Sequence, residues 1–149
     1  MRTKLADRKL PNYTKGEEIF NMVSHGVGAI IGIVVLVLCI IVATKHDNVY
    51  GIVSSAIYGA TMIMLYTMSS VYHGLRPGTA KKVLQVIDHC TIYLLIAGTY
   101  TPIALSAIRS VSPVLGWGLF GIEWAFAALA ITLTAVSYTH LTLPTTILV

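Results

Sequence analysis

Long runs of residues without a charge dominate this sequence and limit the folds open to it. A helix needs about 20 predominantly apolar residues to cross the hydrocarbon core of a bilayer. Four runs approach or exceed that length, and Asp88 and Glu123 are the only charged residues inside them. The sequence therefore predicts an all-α integral membrane protein with transmembrane helices at about residues 27–44, 49–72, 83–108 and 111–135.

The composition agrees with a membrane-resident chain. Of the 149 residues, 56% are hydrophobic and 11% are charged, whereas about a quarter of a soluble domain is charged. Basic side chains beside anionic lipid headgroups explain the net charge of +4, so membrane lipids are the expected partners and nucleic acid is not. Cys39 and Cys90 lie in or beside the spans, and their spacing fits neither a disulfide framework nor a zinc motif.

The distribution of lysine and arginine predicts the orientation in the membrane. Short loops rich in these residues stay in the cytoplasm. The N-terminal tail and the loop between the second and third spans carry eight of them, and the other two loops carry two. We therefore expect a multi-pass protein of the cell (plasma) membrane whose N-terminus is cytoplasmic.

Residues 15–28, KGEEIFNMVSHGVG, predict a short N-terminal interfacial helix that leads into the first span. Glu18, Asn21 and His25 are spaced i, i+3 and i+7, so they share one face of that helix. Two interpretations of this face are open. It is either a polar stripe in the headgroup region or part of a functional site.

A second polar group brackets the loop between the second and third spans. Ser69 and His73 share a helix face because they are four residues apart, and Asp88 follows across a tight turn. Ionisable groups at the edge of a span usually face the bundle interior and mark function. His73 and Asp88 are compatible with half of a zinc site or with a hydrogen-bonded pair that joins two helices. His89 points about 100° away from Asp88 and is the weaker candidate.

Three segments resemble the haemolysin III family, which belongs to the wider superfamily of progestin and adiponectin receptors. They are EEIFNMVSHGVGAIIG, SSVYHGL and VIDHCTIYLLIAGTYTPIAL, and they follow one another in order. The resemblance covers about residues 17–135. It implies a seven-helix bundle with a cytoplasmic N-terminus, of which this chain would contain four transmembrane helices.

In that superfamily three histidines bind a zinc ion near the cytoplasmic face, with an aspartate close to the metal-bound water. The resemblance implies that His73 is a zinc ligand, that Asp88 is a catalytic residue that orients the water, and that Ser69 is a catalytic-site residue near the metal or the substrate. The other two histidines would come from an H-x-x-x-H motif, which this sequence lacks. Zinc is therefore expected for a full-length parent, and the site would be incomplete here.

The end of the sequence differs in character from the spans. Residues 136–146, VSYTHLTLPTT, are polar, β-branched and proline-containing, and they resemble a translated sequencing adapter. We expect residues 1–135 to be a partial transmembrane domain and residues 136–149 to be a non-native tail. The natural sequence is then expected to supply further C-terminal helices of the same chain as packing partners, and His140 is not counted as a ligand.

Three functions are compatible with these features. The first is a zinc-dependent hydrolase acting on an amide or ester of membrane lipid, with activity expected of the parent rather than of the fragment. The second is a receptor-like sensor of membrane homeostasis with structural zinc. The third is a cytolysin, as the family name suggests, although a multi-span resident of its own membrane argues against a secreted pore former.

Glu123 is expected to face a polar cavity or the missing helices.

Overall fold

The computed structural model describes the backbone of residues 9–139 and the side chains of residues 9–135. Four helical stretches in this part of the chain are long and apolar enough to cross a membrane, which confirms the predicted all-α membrane fold. No β-strand occurs within the described residues. The helices are α1 (Lys15–Lys45), α2 (Val49–Gly74), α3 (Thr79–Pro102), the short α4 (Arg109–Val111) and α5 (Pro113–Thr139), with a π-helical segment, Ile103–Ile108, between α3 and α4.

The long helices pack in chain order. α1 packs on α2, α2 on α3 and α3 on α5. Loops of three and four residues join the first three helices, and connections this short make consecutive helices antiparallel. The N-terminus of α1, the C-terminus of α2 and the N-terminus of α3 therefore lie at the same end of the bundle.

The segment predicted as an interfacial helix forms the first turns of α1, without a break before the span. Thr14 and Glu17 form a capping box, in which the Thr14 N–H donates to Glu17 Oε2 (2.7 Å) and the Glu17 N–H donates to Thr14 Oγ1 (3.3 Å). No proline follows to interrupt the helix. At a rise of about 1.5 Å per residue, the 31 residues of α1 exceed the roughly 30 Å hydrocarbon core, so its polar first turns extend beyond that core.

The close approach of α1 and α2 depends on a glycine. A Cβ atom at Gly59 would lie 2.6 Å from Leu36 Cβ on α1, well inside van der Waals contact. Small residues of this kind let transmembrane helices pack tightly.

Gly59→Ala is expected to destabilise the bundle. The added methyl group pushes α1 and α2 apart, and such overpacking costs about 1–3 kcal/mol. Thermal unfolding of the purified protein in detergent, followed by circular dichroism, measures the change. Gly118→Ala is the matched control, because nothing lies within 4 Å of a Cβ at that position. Equal melting temperatures for the two variants would contradict this packing role of Gly59.

The third span changes its helical geometry at Pro102. Proline lacks a backbone N–H and clashes with the preceding turn, and the chain continues as the wider π-helical segment. The helix ends at Val111, and Ser112 is extended before α5 begins. Trp124 of α5 then packs back on α3, where its Nε1 donates to Thr101 Oγ1 (3.1 Å).

The bundle has apolar outer faces and a polar interior. Ile30 on α1 and Phe126 on α5 are each 64% exposed, an arrangement that suits a lipid environment. Eight polar or charged side chains within the described residues are buried: Ser54, Thr61, Ser69, His73, Lys81, Gln85, Thr91 and Thr101. Burial of so many polar groups requires internal partners, because lipid offers none.

Glu123 lines a cavity of about 140 Å³ between α3 and α5. Glu123 was expected to face a polar cavity or the missing helices, and the side chains that line this cavity with it are mostly apolar, among them Ile96 and Phe126. The backbone of α5 stays helical past Ala135 to Thr139. The remainder of the predicted tail, with His140, lies outside the described residues.

Candidate functional site

Polar side chains from three helices meet at the end of the bundle where α1 begins, α2 ends and α3 begins. We call this group the polar cluster. Its members are Glu18 and His25 of α1, Ser69 and His73 of α2, and Lys81 and Asp88 of α3.

His73 is held on several sides. Its side chain is 8% exposed, and its Nδ1 lies 2.7 Å from Glu18 Oε2. The rings of Tyr13 and Tyr72 pack edge-on against the imidazole, with centroids 5.6 and 4.8 Å away. The ring plane is therefore set by packing, and the Nδ1 position is occupied by a carboxylate.

Glu18 also binds the ammonium group of Lys81. Lys81 Nζ donates to Glu18 Oε1 (2.5 Å) and to the Leu75 carbonyl (3.0 Å). The lysine is only 2% exposed, and a buried charge of this kind is stable only when it is paired. The orientation predicted from the sequence counted Lys81 as a loop residue, whereas it is a buried residue in the first turn of α3.

The imidazole ring of His25 packs against the rings of His73 and Tyr66. Its ring centroid is 5.8 Å from that of His73 and 5.9 Å from that of Tyr66. Within the described residues, its buried Nδ1 has no hydrogen-bond partner.

Asp88 is half-buried and lies deeper in the bundle than His73. It follows Lys81 by seven residues on α3, which corresponds to about 10 Å along the helix axis. Among the described residues, the ion pairs of the cluster join Glu18 to His73 and to Lys81, and none joins His73 to Asp88. The carboxylate that pairs with His73 is therefore Glu18, because α1 passes beside the end of α2 while Asp88 lies two turns further along α3.

Ser69 lies one turn from His73 on α2 and is 4% exposed. The neighbouring Ser70 anchors α2 to α1 by donating its hydroxyl to the Met22 carbonyl (2.8 Å). Asn21, in contrast, is half-buried and lines an outer cleft of about 350 Å³ with Tyr13 and Phe20. The polar face predicted on α1 is thus divided, because Glu18 and His25 contact the site and Asn21 lines this outer cleft.

A family model described as Haemolysin-III related matches residues 13–148. The chain belongs to this family. The resemblance inferred from the sequence motifs is therefore confirmed. The matched range includes residues 136–148, so the non-native origin of the tail stays a prediction.

Two curated relatives of this haemolysin III family member come from Bacillus. The chain is 42% identical over 111 residues to Hemolysin-3 of Bacillus cereus and 40% identical over 115 residues to a Hemolysin-3 homolog of Bacillus subtilis (strain 168). The alignments cover 74% and 77% of this chain but 49% and 53% of the relatives. The chain thus spans about half the length of the curated relatives that it matches. No solved structure matches it.

The family resemblance implies zinc, and the described residues fit that metal only in part. Imidazole ligands of metals usually donate their second ring N–H to a carboxylate or carbonyl, and His73 has this arrangement through Glu18. However, a catalytic zinc needs three protein ligands. Within the described residues no three His, Cys, Asp or Glu side chains are placed to share a metal. The residues present do not form a complete zinc site, so no reaction step is assigned to zinc here.

Two contacts of the cluster were not predicted from the sequence: that of Glu18 with His73 and that of Lys81 with Glu18. Glu18 was placed on a polar face, but nothing in the sequence indicated which residue it would meet 55 positions later. Lys81 had the appearance of an ordinary loop cation. A signal was present in its spacing, because Lys81, Gln85 and Asp88 share one face of α3 and the first two are buried.

Proposed function

We propose that this haemolysin III family member is a membrane-embedded hydrolase that cleaves an amide or ester bond of membrane lipid at the cytoplasmic leaflet. The observation that carries the proposal is the buried His73 imidazole, held through Nδ1 by Glu18 at 2.7 Å at the end of the bundle. A histidine that is oriented by a carboxylate through one ring nitrogen keeps the other ring nitrogen available as a metal ligand. Its position at the end of the spans suits a substrate that enters from the headgroup region.

The reaction can be assigned to residues of the chain. Asp88 accepts a proton from the attacking water, and the water oxygen forms a bond with the carbonyl carbon of the lipid. Ser69 donates a hydrogen bond to the carbonyl oxygen as negative charge develops on it. The carbonyl double bond then re-forms, the C–N bond of the amide or the C–O bond of the ester breaks, and the proton held by Asp88 passes to the departing amine or alcohol. Zinc is proposed as a cofactor only with a complete ligand set, of which His73 would be one member.

The cytoplasmic location of the site is part of the proposal. The loops at the end of the bundle that carries the cluster contain eight basic residues, or seven when the buried Lys81 is left out, and the opposite end has two. This asymmetry supports a cytoplasmic N-terminus.

Reporter insertions test the orientation. A reporter in the α2–α3 loop, residues 75–78, is expected to be active in the cytoplasm, and one in the α1–α2 loop, residues 46–48, on the outside. A reporter that is active only in the cytoplasm and a second reporter that is active only outside it provide the matched pair of readouts at each position. The reverse pattern would place the cluster at the outer leaflet.

Two other functions remain candidates because specific observations favour them. The curated relatives are named Hemolysin-3, so lysis of target cells is one. The other is a sensor of membrane homeostasis, in which the buried ion pairs of the cluster serve structure alone. The four apolar spans and the placement of His73 beside Glu18 support the hydrolase over the cytolysin.

A single set of measurements separates these functions. The protein expressed from its source locus is purified, reconstituted in vesicles and supplied with a lipid amide and a lipid ester, and released fatty acid is measured by mass spectrometry. Release above that of protein-free vesicles is expected. Erythrocyte lysis without fatty acid release would favour the cytolysin. Bound zinc without lipid turnover or lysis would favour the sensor.

A further inference from the structure

The two carboxylate oxygens of Glu18 have separate partners. Oε2 faces His73 Nδ1 at 2.7 Å, and Oε1 faces Lys81 Nζ at 2.5 Å. The three side chains come from three different helices and are 21%, 8% and 3% exposed, respectively. The arrangement therefore forms only when α1, α2 and α3 are packed together.

The ion pair determines which nitrogen of His73 carries the proton. An ionised carboxylate can only accept hydrogen bonds, and the charge of Lys81 balances that of Glu18. His73 Nδ1 is consequently the donor in this contact. In the neutral imidazole, the lone pair then lies on Nε2.

Lys81 also restricts the position of Glu18. Its ammonium group is anchored to the Leu75 carbonyl at the end of α2 (3.0 Å) as well as to the carboxylate. Glu18 is therefore held toward α2 and cannot turn to solvent without breaking a buried pair. Tyr13 and Tyr72 fix the plane of the imidazole by packing, but ring packing alone does not select a tautomer.

We propose that Glu18 and Lys81 are positioning residues that hold His73 with its proton on Nδ1 and its lone pair on Nε2. The contribution of this pair to hydrolysis rests on the function proposed above, whereas the tautomer does not. Neither residue needs to touch the substrate, because both act through His73.

Nitrogen-15 NMR of the detergent-solubilised protein with labelled histidine tests the tautomer. The signals of His73 are assigned by their absence in His73→Gln. In the wild type we expect Nδ1 to be protonated and Nε2 to be bare. In Glu18→Ala we expect the proton to move to Nε2 in a substantial fraction of the molecules. Glu18→Gln retains an acceptor oxygen and should restore part of the Nδ1-protonated form.

Glu17→Gln is the matched control, because Glu17 is the adjacent carboxylate, it binds Thr14 instead, and glutamine retains the capping box that begins α1. Its His73 signals should equal those of the wild type. The proposal is overturned if His73 is protonated on Nε2 in the wild type, or if Glu18→Ala leaves the tautomer unchanged while circular dichroism shows a folded protein.

Lipid hydrolysis provides the second readout. Glu18→Ala is expected to lower the rate on the order of 10–100-fold, as loss of the carboxylate behind a metal-binding imidazole does, and Glu17→Gln should leave it unchanged. If the wild type shows the expected tautomer but no hydrolysis, the positioning pair stands and the proposed function fails. If the wild type hydrolyses lipid and Glu18→Ala equals Glu17→Gln, the role of the pair in the reaction is wrong.

Discussion

Asp88→Asn is expected to lower the rate of lipid hydrolysis by about 10²–10⁴-fold, the contribution that a general base typically makes. The amide has nearly the shape of the carboxylate, but it cannot accept a proton from the attacking water. Fatty acid release by the reconstituted protein from the source locus measures the effect. Circular dichroism should show unchanged helical content.

Asp47→Asn is the control for this substitution. Asp47 lies in the α1–α2 loop at the opposite end of the bundle and has a positive φ of 49°, a conformation that asparagine adopts readily. Its hydrolysis rate should equal that of the wild type. A similar loss in both variants would indicate a general effect on folding and would contradict the role of Asp88 as a base.

Zinc content separates the roles of His73 and Asp88 in the same protein. His73→Ala is expected to lower the bound zinc, because it removes an imidazole ligand, and Asp88→Asn is expected to retain most of it. If Asp88→Asn removes the metal as completely as His73→Ala, Asp88 is itself a ligand. The 149-residue chain should bind zinc weakly, since its described residues do not supply three ligands. Tight stoichiometric binding would contradict the ligand assignment.

Lys81→Met is expected to be the most destabilising single substitution in the polar cluster. Removing one partner of a buried ion pair leaves the other charge uncompensated, at a cost of about 3–5 kcal/mol. The lower end applies here, because the Glu18 side chain is 21% exposed. The free energy of unfolding in mixed micelles measures the loss. Lys15→Met is the control, because Lys15 is an exposed lysine at the same end of the bundle. This substitution should change the free energy of unfolding by about 0.5 kcal/mol or less.

A double substitution distinguishes charge pairing from simple loss of packing. Glu18→Met together with Lys81→Met replaces the ion pair by apolar side chains, and such replacements are often neutral in stability. We expect the double variant to recover most of the stability that Lys81→Met loses, while His73 loses its carboxylate partner. A double variant as unstable as the sum of the single variants would show that the pair is not the source of the effect.

The membrane fold could be predicted from the sequence with little ambiguity. Uncharged runs of about 20 residues or more have few alternatives to a transmembrane helix, because a buried backbone in lipid must satisfy its own hydrogen bonds. Helix ends were less predictable. The sequence predicted an interfacial helix over residues 15–28 and a span from about residue 27, whereas the structure has one continuous helix, Lys15–Lys45, which begins at the Thr14–Glu17 capping box.

The candidate site could be predicted only in part. The motifs selected Ser69, His73 and Asp88 as functional residues, and these roles stay predictions. Their partners were not predictable from spacing, because the Glu18–His73 and Glu18–Lys81 contacts join residues 55 and 63 positions apart. Such contacts depend on how α1 is rotated and shifted against α2 and α3, and many registers bury the same apolar faces.

The sequence by itself determined the class of environment, the four spans within residues 9–139 and the end of the bundle at which the polar residues gather. These properties follow from the hydrophobicity of single segments and from the short loops between neighbouring helices. Each property therefore depends on only one or two helices. Only the tertiary structure decided that Glu18 is the carboxylate of His73, that Lys81 is a buried counter-ion and that Asp88 lies deeper along the bundle. The physical reason is that contacts of 2.7 Å from Glu18 to His73 and 2.5 Å from Glu18 to Lys81 depend on the packed positions of three helices, and no single segment of the chain encodes those positions.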